Sequence, residues 1–161
     1  MAPVRREYIQ SAFLSKPLSN AAWAALSDGV MSLGVNGSVG MNAMGGKWRE
    51  GPTDKTSYPH RGFLFNLEIN TVWYDERLDD KVKSWTNAAY CEHILPACGG
   101  KDCQVYCNYP DGLLDGKGSA PDFTTAYWAN NLERLKVLKA ELDPDDLFAF
   151  PQSIPTVKDE L

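Results

Sequence analysis

The sequence predicts an α+β fold: an antiparallel β-sheet with helices packed on one face, in a single domain. Three observations predict it. Apolar residues recur at three- and four-residue steps in three separate stretches, as on the buried stripe of an amphipathic helix. Residues 62–74 instead alternate with a period of two, the spacing of a strand whose faces meet different surroundings. Helices and strands follow one another, yet no Gly-rich turn joins a strand to a helix as in a βαβ unit, so antiparallel pairing fits better than a parallel sheet. At 161 residues, 43% hydrophobic and 23% charged, the chain is long enough to bury one core.

The first helix is expected over 17–31, where Leu18, Ala22, Trp23, Leu26 and Val30 form a stripe and Ser19 or Asn20 caps the start. The Gly-rich stretch 34–46 alternates small residues with Val35, Val39, Met41 and Met44 and closes at Gly45-Gly46, the pattern of a strand ending in a tight loop. Residues 47–60 are polar, with two prolines, and read as a surface loop. In the strand over 62–74, Phe63, Phe65, Leu67 and Ile69 share one face while Leu64, Asn66, Glu68 and Asn70 share the other. Leu78, Val82, Trp85 and Ala89 define a second helix that ends before Pro96. A short strand over 104–109 is stopped by Pro110-Asp111-Gly112. The last helix has Asp122 as its cap, a buried stripe of Trp128, Leu132, Leu135, Leu138 and Leu142, and its end at Asp143-Pro144.

With 16 Lys and Arg scattered among 21 acids and a net charge of −5, the chain has no basic stripe, and nucleic acid is not an expected partner. No apolar run approaches the roughly 18 residues that span a bilayer, and residues 1–10 are charged where a signal peptide would be apolar. The chain nevertheless ends in Lys158-Asp159-Glu160-Leu161, the address for retention in the endoplasmic reticulum. Three readings stay open: a targeting segment upstream, an appended tail, or an accidental match. The expected organisation is therefore one domain over 1–157 followed by the tail 158–161. Cys91, Cys98, Cys103 and Cys107 lie close together. Cys98 and Cys103 flank a flexible loop that would let them pair in an oxidising compartment, but free thiols are at least as strong an expectation. Their spacings lack a C-x2-C knuckle, so no metal is expected.

Several segments, in order, resemble the berberine bridge enzyme family of the vanillyl-alcohol-oxidase flavoproteins. They are Glu7-Tyr8-Ile9-Gln10-Ser11-Ala12-Phe13 with Lys16-Pro17-Leu18, Met44-Gly45-Gly46, Tyr58-Pro59-His60-Arg61, and Tyr106-Cys107-Asn108-Tyr109-Pro110-Asp111. The most specific is the closing run from Tyr127-Trp128-Ala129-Asn130-Asn131-Leu132 through Asp143-Pro144-Asp145-Asp146-Leu147-Phe148 to Gln152-Ser153-Ile154-Pro155. The resemblance implies FAD as cofactor and oxidation of a small organic alcohol, sugar or alkaloid-like substrate, with this chain as the substrate-domain and C-terminal part.

It also implies roles. Tyr109 would face the flavin and take a proton from the substrate, although a phenol near pKa 10 needs activation for that. Glu68, the one acid on the long strand, would act as base or bind substrate, with Asn66 as the alternative equivalent position. Tyr106 would join Asn66 and Glu68 at the substrate, and Asn108 and Asn130 would lie near the flavin ring. Each has a plainer alternative: Tyr109 as a hydrogen-bonded strand end, Glu68 in an ion pair or at an exposed edge, and the asparagines as backbone hydrogen-bonding groups. His60 and Arg61 read as structural, with the Arg paired to a carboxylate, and the five tryptophans as core and pocket wall. Two other functions compete with the oxidoreductase: a flavin-free ligand-binding or cyclising module, and an inactive product that self-associates through exposed apolar surface.

The family's diphosphate-binding region has no counterpart in these residues, which contain no G-x-G-x-x-G cradle. The isolated chain is accordingly expected to bind free FAD weakly or not at all, and to associate with itself or with a flavin-binding domain. Gel filtration of the chain with FAD checks this, and a stoichiometric yellow protein would overturn it.

Overall fold

In the computed structural model, residues 4–118 and 120–156 are described, and the 158–161 tail lies outside them. These residues hold an antiparallel sheet of β1 (Arg6–Leu14), β2 (Asn36–Ala43) and β3 (Phe65–Trp73), in spatial order β1-β3-β2. β3 is the centre because it alone pairs on both edges, with Ile69 opposite Gln10 of β1 and Val39 of β2. Its alternation sorts the two faces as the sequence predicts. Leu67, Ile69, Thr71 and Trp73 are buried on the helical side, while Glu68 and Asn70 on the other side are half-buried.

β1 has no counterpart among the elements expected from sequence. Its last five residues are buried on both faces, including Gln10 and Ser11, so the polar positions interrupt the apolar alternation that would announce a strand. The strand expected over 104–109 is instead irregular. It runs along the free edge of β1, where the Phe13 amide donates to the Gln104 carbonyl at 2.8 Å. The ladder goes no further because side chains take the next groups: Ser11 Oγ accepts from the Tyr106 amide and the Ser11 carbonyl accepts from the Tyr90 hydroxyl, both at 3.1 Å.

Helix α1 (Asn20–Ser32) starts where Ser19 Oγ accepts from the Ala22 amide and buries Leu26 and Val30. It sits so close to β2 that a Cβ on Gly37 would meet Val30 Cγ1 at 2.4 Å. Helix α2 (Asp79–Ala89) does not stop before Pro96. It continues through a π-helical turn (Tyr90–Ile94) into α3 (Leu95–Cys98). Pro96 stands at the start of α3, directly after the π-helical turn, where the hydrogen-bonding pattern changes and the missing N–H is accommodated. Gly99, at φ 113°, ends the helix, and the Cys98–Cys103 disulfide closes the following loop. Cys91 and Cys107 are free thiols.

The last helix is two. Helix α4 (Phe123–Trp128), capped by Asp122, breaks at Ala129, and α5 (Leu132–Leu142) resumes after a 3-10 turn. The expected stripe is buried only at its start: Trp128 is buried, Leu132 and Leu135 are half-buried, and Leu138 and Leu142 are exposed. Leu135, Leu138 and Leu142 together with Phe148 and Phe150 wall an apolar groove of about 450 Å³. The break at Ala129 re-aims α5, which turns its leucines along the surface.

Asp111 is fully buried and bonded to amides, not cations. It accepts from Gln10 Nε2 at 3.0 and 3.2 Å and from the Leu113 amide at 2.9 Å. Burial is the largest influence on its carboxyl and pushes its pKa above the ordinary 3.8, against the hydrogen bonds. A raised folded-state pKa means that the folded protein holds the proton more tightly than the unfolded chain. The associated stability is present below the ordinary carboxylate range and is lost as pH rises through Asp111's own pKa. Thermal denaturation across that acidic window should show the wild type losing stability with rising pH relative to Asp111→Asn. Parallel curves for the two proteins would overturn the assignment.

Candidate functional site

The face of the sheet away from the helices carries the candidate site. Because side chains repeat every two residues, Asn66, Glu68 and Asn70 of β3 share this face with Ser11 and Phe13 of β1 and with Asn42 and Gly40 of β2, which stand directly opposite them. Glu68 is half-buried, and its Oε1 accepts from Asn42 Nδ2 at 2.9 Å and Asn66 Nδ2 at 3.0 Å. Gly40 faces Glu68 with nothing within 4 Å of where a Cβ would stand, so the space beside the carboxylate is open. Burial raises the Glu68 pKa, and the Asn42 bond opposes that rise. Asn66, whose amide nitrogen is committed to Glu68, leaves its buried Oδ1 without a partner among the described residues.

The irregular segment along β1 brings in the tyrosines. Tyr106 is anchored through its amide to Ser11, and the Tyr109 amide donates back to the Tyr106 carbonyl at 3.0 Å. The two rings meet edge to face with centroids 5.3 Å apart, and Asn108 Nδ2 donates to the Tyr106 hydroxyl at 2.7 Å. Desolvation first, then the charges of Glu68, Tyr106 and Glu7, push the Tyr109 phenol above its ordinary pKa. Tyr109 is thus within electrostatic reach of Glu68 and stays protonated at neutral pH. Of the residues singled out from sequence, Glu68, Asn66, Tyr106, Asn108 and Tyr109 gather here. Asn130 does not. It is exposed and lines a separate hollow of about 340 Å³ with Gly62, Phe63, Gln104 and Ala129.

His60 supports the site from below. Its ring is buried, stacked on Phe13 at 4.2 Å, with Nδ1 2.7 Å from Gln104 Oε1. Burial lowers its pKa to about 4, so it is a neutral packing group. Contrary to expectation, Arg61 pairs with no carboxylate among the described residues. Its guanidinium donates to the Trp48 carbonyl and Thr56 Oγ1 and lies 5.9 Å from the Trp48 and Tyr58 ring centroids. Sequence reasoning missed Ser11, Asn42 and Gln152, the last of which binds the Asp111 backbone. Polar residues at strand positions were the available signal for the first two, and the third lay in the closing run that carries the resemblance, without a role of its own.

The family model described as "Berberine and berberine like" matches residues 105–155. A monolignol oxidoreductase of Arabidopsis thaliana is 35% identical over 71% of this chain and 22% of its own length. Berberine bridge enzyme-like 14 of the same plant is 28% identical over 95% of this chain and 31% of its length. The crystal structure of aclacinomycin oxidoreductase superposes with a TM-score of 0.78 at 28% identity, over 94% of this chain and 32% of that one. The chain belongs to the berberine-like family. It spans about a third or less of the relatives it matches.

The matched berberine-like residues include the backbone outlier beside Asn130. Ala129 adopts φ 44° and ψ −125°, a conformation that costs a non-glycine residue about 1–3 kcal/mol. Ala129→Gly relieves that strain, offset in part by the roughly 0.5–1 kcal/mol entropic cost of glycine. A net gain of about 1 kcal/mol is expected in urea denaturation, and a loss would mean that the alanine methyl is packed, not strained.

Proposed function

We propose that this chain forms the substrate-facing wall of an FAD-dependent oxidoreductase acting on a small organic substrate, an alcohol, sugar or alkaloid-like molecule. The observation that carries this reading is the half-buried Glu68 carboxylate, bound by two amides through one oxygen and bordered by open space, with a protonated phenol nearby. FAD, when bound, would supply the two-electron acceptor. Asn108, Tyr109 and the unpartnered Asn66 Oδ1 suit the polar edge of a flavin ring. The N-termini of α2 and α4 do not suit a diphosphate: the first turn of α2 carries Asp79 and Asp80, and α4 is capped by Asp122, charges that repel phosphate.

In this arrangement Glu68 accepts the proton of a substrate hydroxyl. Burial raises its pKa, which makes the ionised carboxylate a better base than an ordinary one. Asn42 and Asn66 hold the carboxylate in place, and Tyr109 donates a hydrogen bond to the substrate. The resemblance implies Tyr109 as a base as well as Glu68, but burial and the neighbouring charges oppose ionisation of the phenol. The Cys98–Cys103 disulfide supports an oxidising compartment, in keeping with an endoplasmic reticulum address at 158–161. The exposed Leu138, Leu142, Phe148 and Phe150 support association through that face with a flavin-binding domain or a second copy. The same apolar groove favours the second reading, a flavin-free ligand-binding module.

Grafting the chain in place of the matching third of aclacinomycin oxidoreductase tests the assignment. Glu68→Gln should lower turnover by more than about tenfold with flavin absorbance retained, and Tyr109→Phe should cost less. Because the base must be ionised, turnover should fall as pH drops through the raised Glu68 pKa. Unchanged turnover in Glu68→Gln would sink the proton-acceptor role, and a larger loss in Tyr109→Phe would transfer it to the phenol.

A further inference from the structure

Tyr109 lies in a segment without regular hydrogen bonding, so its placement depends on how the two ends of that segment are held. Upstream, the Tyr106 amide is bound by Ser11 Oγ. Downstream, Pro110 contributes no N–H and has a fixed φ, and it restricts Tyr109 itself to extended conformations. The few remaining degrees of freedom end at the Asp111 peptide. There the side chain of Gln152, 41 residues further along, takes both backbone groups of one residue. Its Nε2 donates to the Asp111 carbonyl at 2.6 Å and its Oε1 accepts from the Asp111 amide at 3.0 Å. The amide orientation follows from these partners; the Tyr127 hydroxyl donates to Oε1 at 2.7 Å, which fixes the side chain in turn, and itself accepts from the Asp111 amide at 3.2 Å, so the amide is shared while the carbonyl is held by Gln152. The Asp111 carboxylate is held separately by Gln10.

We propose that Gln152 is a positioning residue that sets the placement of Tyr109 toward Glu68 by clamping the Asp111 backbone. The inference rests on the reading of Glu68 and Tyr109 as one site. A merely structural Gln152 would satisfy buried backbone groups without affecting what the Tyr109 phenol meets. A positioning Gln152 governs its distance from Glu68 and Glu7, the charges that raise its pKa together with burial and Tyr106.

The test uses the chain itself, labelled with carbon-13 at tyrosine Cζ, with the Tyr109 resonance assigned by Tyr109→Phe and followed through alkaline pH. In the wild type Tyr109 titrates above the ordinary 10.0, and Glu68→Gln lowers that midpoint. Gln152→Ala should also shift it down toward 10.0 and weaken the ring-current signature of the Tyr106–Tyr109 edge contact. Should the alanine variant not fold, Gln152→Met keeps the bulk and removes only the amide. Amide hydrogen exchange in the wild type is an independent reading, expected to show the Asp111 N–H protected. If Gln152→Ala or Gln152→Met leaves Tyr109 unmoved while Glu68→Gln shifts it, or if the Asp111 amide exchanges freely, the clamp is refuted and the site reading stands. If Glu68→Gln leaves Tyr109 unmoved, the pairing of Glu68 with Tyr109 fails and the inference fails with it.

Discussion

Pairing of β3 on both edges ties the core to the site. A strand bonded on two sides has little freedom to slip, because a one-residue shift would exchange its faces, drive Leu67 and Ile69 into water and bury Glu68 against the helices. The hydrophobic packing of one set of side chains therefore places the polar set. Asn66 and Glu68 stand where they do because their neighbours are committed to α1, α2 and α3. The cross-strand partners Ser11 and Asn42 are set by the same register.

The edge of β1 is finished by side chains instead of a fourth strand. Tyr90 and Ser11 take up groups a ladder would have used, and Gln104 is steadied by the neutral, buried His60. Such closure is specific in sequence and costly to disturb, since each buried polar group lost from it leaves another unpaired. It also explains why β1 carries Gln10 and Ser11 at fully buried positions. They are not exceptions to core composition but the means by which an irregular, tyrosine-bearing segment is attached to a regular sheet.

That same feature limits what the sequence reveals. β3 was legible because its period of two is unbroken, and α1 because Ser19 stands just ahead of a clean stripe. β1 was not, because its polar residues serve tertiary partners far along the chain. The segment 104–109 has the composition of a strand, but its hydrogen bonds go to side chains. The Ala129 break was hidden because the apolar spacing on either side of it continues as if α4 and α5 were one helix, and a left-handed φ at alanine has no sequence signature. At the site, the strand residues Asn66 and Glu68 were placed by periodicity, and Tyr106, Asn108 and Tyr109 by family resemblance. Gln152 stood in the closing run that carries the resemblance, but its role was not legible, because two of its bonds go to the Asp111 backbone and the third to Tyr127, 25 residues away.

The tail that carries Gln152 is itself shaped by charge. Lys139, near the end of α5, bonds to Asp143 and to the Phe148 carbonyl and lies 2.7 Å from Asp146. The Asp143 carboxylate accepts from the Leu147 and Phe148 amides. These contacts reverse the chain after α5 and send 148–154 back along the groove walled by Trp128, Leu135 and Leu138. Phe150 and Ile154 then face the groove while Gln152, between them, reaches Asp111. One short segment thus meets an open apolar surface on one side and holds the backbone beside Tyr109 on the other. Anything that covers the groove bears on the same residues that hold the site, so the exposed leucines of α5 and the geometry of Tyr109 are mechanically connected through the tail.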